Sequence, residues 1–179
     1  MKKYELTANT KNVCGKTLFQ IKALVNFGNI KAGELGGYIE KEENLSHDGT
    51  AWIFEKACVY GNAEVCGNAQ IRGNARIFDN ACVSGSVYVY DDAWIYNDAC
   101  VCGKAQIYGD ACIYGKAQVY DNACIYDNAR VGDNAHVYGN ACVCGGAYDY
   151  DDAKIYGDAW ICDNMYVCGN TQIYNDIEE

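Results

Sequence analysis

The residues best equipped for chemistry in this chain are its twelve cysteines, two histidines and one misplaced aspartate. Eleven of the cysteines fall in residues 53–178, all at positions that a strand would turn outward. Cys124, Cys142, Cys144 and Cys162 are spaced so that residues 18 apart become neighbours, as are Cys82, Cys100 and Cys102. Four thiolates could hold zinc, but zinc demands a converging tetrahedron, and side chains on a flat sheet diverge. The ordinary reading, cysteine as a small residue tolerated in strands, therefore outweighs a metal site at Cys124, Cys142, Cys144 and Cys162. His47 and His136 are the side chains whose usual pKa lies near neutrality. His136 is the candidate general base, set against the plain reading of a lone outward histidine as a surface residue. No cofactor is implied.

The elements that position these residues follow from one six-residue pattern. From Ile53 onward each unit reads aliphatic, variable, Gly or Asp, Asn or Asp, Ala, variable, and Val59-Tyr60-Gly61-Asn62-Ala63-Glu64 is a typical copy. Twenty-one units fit without insertion or deletion. The first position is Ile in ten, Val in ten and Asp once, at Asp149; the fifth is Ala in seventeen, with Val87, Met165, Thr171 and Ile177 as exceptions. Small and aliphatic residues two apart, as in Ala63 and Val65, give the period of a strand with one buried face. Gly, Asn and Asp then supply the positive φ that a corner needs. Three strands and three corners close a triangular coil, so the pattern predicts about seven coils of a parallel β-helix. At strand spacing this is a prism roughly 34 Å long.

The pattern resembles the bacterial hexapeptide-repeat family, which implies a left-handed parallel β-helix. Right-handed bactofilin-like triangular helices are the alternative. Residues 1–46 fall outside the hexad and are read as a β-rich cap, with 47–179 as the solenoid. Residues 4–7 and 17–24 read as strands and 8–16 as the loop between them. Residues 27–33, Gly36-Gly37-Tyr38, Asn44-Leu45-Ser46 and residues 49–53 look like the leading segment of YdcK-like bacterial and prophage hexapeptide proteins, which carry no agreed activity to transfer. The final residues show no comparable cap. An open strand edge there is either blocked by Glu178 and Glu179 or docked on a second copy.

Two enzyme readings come with the hexapeptide resemblance. Acyltransferases of that family work as trimers with a catalytic histidine in the cleft between subunits and long loops that build an acyl-CoA site. His136 would be that base here, but no loop interrupts the hexads. The γ-class carbonic anhydrases need three zinc-binding histidines, and two are present. Asp149 breaks the aliphatic column, where a buried charge is costly. The economical expectation is a local slip that turns Tyr148 or Tyr150 inward, with a functional buried Asp as the alternative.

The outward positions carry the function more plainly. Eleven of the twenty-one second positions are Tyr. Taken singly, each serves as a rung in a strand-stabilising ladder. Together Arg76, Phe78, Trp94, Tyr96, Tyr114 and Arg130 cluster on one face with the composition of an interface. The expected function is a non-catalytic scaffold that presents this face to a protein partner or to another copy, as a possible homo-oligomer. The alternatives are the acyltransferase trimer and a phage accessory protein that binds a host protein or small ligand. A net charge of −10 argues against nucleic acid. With no 18-residue apolar run and no apolar leader, neither a membrane nor secretion is expected. A cytoplasmic location with the cysteines mostly kept as thiols follows, and stacked disulfides are disfavoured.

Overall fold

The computed structural model describes residues 1–174. Among these, three sheets run the length of a triangular β-solenoid, with ten strands in one sheet and seven in each of the others. Short strands begin at Trp52–Ile53 and recur every six residues to Gln172–Tyr174. Interior strands pair in parallel with those 18 residues before and after, as Trp94 does with Arg76 and Cys112. The Ile, Val and Ala columns predicted for the interior are there, and from Ala51 to Ile161 these columns are completely or almost completely buried. At the last described coil the fifth-position Met165 is 37% exposed. The expectations for Ile177, Glu178 and Glu179 lie outside the described residues.

The corners explain the Gly/Asp choice more fully than backbone freedom alone. Asp and Asn at the third position take φ between 52° and 61°, the left-handed region. Their side chains also reach the next coil. Asp91 Oδ2 accepts from the Gly109 N–H at 3.3 Å, Asp121 Oδ2 from Gly139 at 3.2 Å and Asp151 Oδ2 from Gly169 at 3.1 Å. Glu55 breaks the Gly/Asp rule yet does the same for Gly73 at 2.8 Å. A corner carboxylate therefore satisfies a backbone donor that the strand ladder leaves free.

The N-terminal segment differs from its sequence reading. Strand β1 runs Tyr4–Val13 and β2 runs Lys16–Ala23, so most of the expected loop is strand. Cys14 and Gly15 both take positive φ, 52° and 80°, which makes a two-residue turn whose twist suits a hairpin. The register between the two strands shifts between Leu6 and Thr10, and Asn9, one of the residues that suggested a loop, sits in that irregularity. Strand β2 pairs antiparallel with β3 (Leu35–Ile39), and β3 pairs in parallel with Cys58–Val59. Parallel stacking thus begins at β3, and Leu45 continues it through a bridge to Val65. Gly36 and Gly37 permit this approach. A Cβ on Gly36 would lie 2.6 Å from the Ile53 carbonyl oxygen, and one on Gly37 2.7 Å from that of Ala57.

The hairpin and the loop after it also bury residues that the hexad points outward. Trp52 is fully buried, edge-on to Phe27 at 5.3 Å and Tyr4 at 6.2 Å. Cys58 and Tyr60 are buried too. Lys3 is enclosed beside Trp52, its Nζ donating to the Ala51 carbonyl at 3.0 Å and lying 5.0 Å from the Phe27 ring. Burial pulls its ammonium down to about 8.

Asp149 has not slipped. Its Cα partners are Val131 and Val167, it is 1% exposed, and neither carboxylate oxygen has a hydrogen-bond partner. Strands on both sides hold the register. Tyr148 is kept outside by stacking on Tyr166, with ring centroids 5.0 Å apart. An inward tyrosine would also overfill a core built from Ala and Val. Desolvation in this apolar column pushes the Asp149 carboxyl up to about 8.

Because the folded pKa is raised, the stabilising contribution of the neutral form is complete below the unfolded value of 3.8 and is lost as pH rises through about 8. In urea unfolding across this range, the wild type should therefore lose stability relative to Asp149→Asn, which has no charge to acquire. At neutral pH, Asp149→Val is expected to add about 1–3 kcal/mol by removing the unsatisfied group.

Candidate functional site

All six residues of the predicted face lie in, or directly after, strands of the ten-stranded sheet. Hexad geometry builds it from two parallel rows. The residue before each aliphatic position gives Arg76, Trp94, Cys112 and Arg130 in register. The residue after it gives Tyr60, Phe78, Tyr96 and Tyr114. The rings of Tyr60, Phe78 and Tyr96 stack at 5.1 and 5.0 Å with planes within 3°. Tyr114 continues at 5.7 Å and 16°. Its ring leans over the next rung, where a Cβ on Gly132 would meet it at 2.2 Å, so glycine makes room for the last ring.

The two rows touch. Trp94 lies edge-on to Phe78 at 6.1 Å, and the Arg76 guanidinium is 5.3 Å from the Trp94 ring. The structure thus joins Arg76, Phe78, Trp94, Tyr96 and Tyr114 into one patch. Arg130 stands two strands beyond Trp94, where it sits 5.4 Å over Tyr148. Beside the patch is a shallow cleft of about 360 Å³, lined by Arg76, Trp94 and Cys112 and edged by Asp92 and Asp110. Trp94 is 40% exposed, so this surface combines an accessible indole, a cation and an acidic lip. Burial raises the hydroxyls of Tyr96 and Tyr114 above the ordinary phenol value, and both remain neutral hydrogen-bonding groups.

The other two faces carry ladders of the same kind. Tyr90, Tyr108 and Tyr126 stack at 4.8 and 5.0 Å, and Tyr120, Tyr138 and Tyr156 at 4.8 and 5.1 Å. On the second of these faces His136 is in register with Gln118 and Lys154 and edge-on to Tyr120 at 6.5 Å. A cleft of about 270 Å³ beside it is lined by Asp152, Lys154 and Gln172. Among the described residues no hydrogen bond ties the His136 ring to a carboxylate.

The cysteines depart from expectation. Cys144 and Cys162 form a disulfide between adjacent coils, with Cα atoms 4.7 Å apart. The expectation against stacked disulfides is overturned at this pair, because a parallel ladder sets in-register cysteines within disulfide range, while the other ten cysteines are free. The Trp160 indole N–H donates to Cys144 Sγ at 3.2 Å. Cys124 and Cys142 are in-register partners on the same sheet, and Cys124 Sγ lies 3.7 Å from the Tyr108 hydroxyl. Cys82 and Cys100 form a similar pair on another face. Among the described residues no group of three or more His, Cys, Asp or Glu is placed to hold a metal ion.

Three stacked sheets, Gly/Asp corners and a hairpin cap define a triangular parallel β-solenoid of about eight turns, counting the one begun by β3. The family model for the YdcK beta solenoid repeat matches residues 105–121 and 117–133, so the repeats in that stretch are similar to the YdcK type. The match falls on mid-rod hexads, away from the leading segment that suggested the same likeness. No curated protein matches the chain.

Stacking makes the ladder rings structural as well as available for contact. Tyr96, packed between Phe78 and Tyr114, should lose about 1–3 kcal/mol of stability on change to Ala. Tyr88→Ala, at a 43% exposed position, should lose less. Paired urea titrations of the two variants measure the difference.

Proposed function

We propose that this protein is a rigid, non-catalytic scaffold that uses the face around Arg76 and Trp94 to bind a protein partner or a second copy of itself. The observation that carries the reading is the contiguous patch of Arg76, Phe78, Trp94, Tyr96 and Tyr114 around an exposed indole. Tryptophan, tyrosine and arginine dominate the binding energy of protein interfaces. The ladder supplies preorganisation, since stacked rings lose little side-chain freedom on contact. The likeness to prophage-type proteins supports a phage accessory role with a host protein as partner. A cytoplasmic setting belongs to the proposal, with Cys144 of the Cys144–Cys162 bond buried there.

A second reading, an acyltransferase-like trimer, draws on the cleft that sets Lys154 and Asp152 beside His136. The two are separated by light scattering over a concentration series, with and without acetyl-CoA. The scaffold reading expects a mass indifferent to acetyl-CoA. Trp94→Glu should abolish any concentration-dependent growth in mass while the far-ultraviolet circular dichroism stays unchanged. If the wild type remains a monomer, a protein retained by immobilised wild type should be lost with Trp94→Glu. A fixed trimer with an acetyl-CoA-dependent thermal shift that disappears in His136→Ala would replace the scaffold with the transferase.

A further inference from the structure

We propose that Cys124 and Cys142 are a redox-active dithiol that closes to a cross-coil disulfide by exchange with a small-molecule disulfide, adding a second rung beside the Cys144–Cys162 bond. The two residues are Cα partners on neighbouring parallel strands. They stand in the same 18-residue relation, on the same sheet, as the pair already bonded at a Cα separation of 4.7 Å. That separation lies inside the range a disulfide spans. Both sulfurs are free and both residues are partly exposed, whereas Cys144 is buried.

What distinguishes this pair from Cys82 and Cys100 is a neighbouring hydroxyl. Tyr108 is the middle ring of the Tyr90, Tyr108 and Tyr126 ladder, which runs alongside the row holding Cys124 and Cys142. Its oxygen is 3.7 Å from Cys124 Sγ. When Cys124 ionises, the Cys142 thiol and the Tyr108 hydroxyl both donate to it, which draws its thiol down to about 7 while Cys142 rises. Burial instead pushes Cys82 up to about 11. The thiolate is the nucleophile in exchange, so Cys124 attacks first.

The Cys124 thiolate attacks one sulfur of the small disulfide, forms a mixed disulfide and releases one small thiolate. The charge beside Cys142 is then gone, and its proton is free to leave to water. The Cys142 thiolate attacks Cys124 Sγ and expels the second small thiolate, and the two small thiolates take up the protons released to water. Two protein thiols are oxidised to one disulfide, and the small disulfide is reduced to two thiols.

The test uses the full chain in mixtures of oxidised and reduced glutathione, quenched with acid, alkylated and digested with trypsin. Cleavage puts Cys124 on residues 117–130, Cys142 and Cys144 on 131–154, Cys162 and Cys168 on 155–179, and Cys82, Cys100 and Cys102 on 77–104. The expected product is a disulfide-linked cluster of the first three peptides, formed while 77–104 is still fully alkylated. Tyr108→Phe, which keeps the ring, should slow its formation several-fold. Cys142→Ser should stop at glutathione on Cys124. The proposal is overturned if 77–104 oxidises as fast, if the wild type also stops at the mixed disulfide, or if Tyr108→Phe leaves the rate unchanged.

Discussion

Backbone hydrogen bonds between successive coils hold this protein together, and they tie every side-chain row to one register. The Trp94 N–H donates to the Ala111 carbonyl at 2.9 Å and the Tyr96 N–H to that of Ile113 at 3.0 Å, and the same step repeats along the rod. A single coil closes few such bonds within itself, so its stability comes from its neighbours. The interior columns depend on the same ladder. Alanine and branched aliphatic residues fill a narrow triangle only if each coil lies squarely over the last. Asp149 shows how strong that constraint is, because a carboxyl stays in the column without a hydrogen-bond partner.

The ladder that makes the core also makes the surface. Identical register turns scattered outward residues into continuous rows, which is why tyrosines stack about 5 Å apart and cysteines come within bonding range. The Arg76 and Trp94 patch and the thiol rows are therefore two products of one geometry. Their chemistry differs only through the residue that occupies each rung and the row beside it.

The hexad made the solenoid, its corners and its faces legible before any coordinates, because one pattern repeats without interruption. What it left unread depends on contacts outside the pattern. Trp52, Cys58 and Tyr60 sit at outward positions but lie under the N-terminal segment, and no periodicity reports that cover. The hairpin turn at Cys14-Gly15 lacks the usual Asn-Gly signature, so β1 looked shorter than it is. The six-residue face was legible as a cluster, while the separation of Arg130 from Trp94 follows only from counting strands. Stacking of Cys144 on Cys162 was readable from spacing; their bond was not, since it depends on how the side chains turn.

The uninterrupted six-residue unit carries a consequence for how such a chain can vary. Gain or loss of 18 residues lengthens or shortens the rod by one strand spacing and leaves every downstream row on its own face. Gain or loss of six residues keeps the core pattern intact but rotates everything beyond it by one side of the triangle. Duplication within the gene can thus re-address a whole surface without disturbing a single buried contact type, and the hairpin at the start fixes the side from which the count begins.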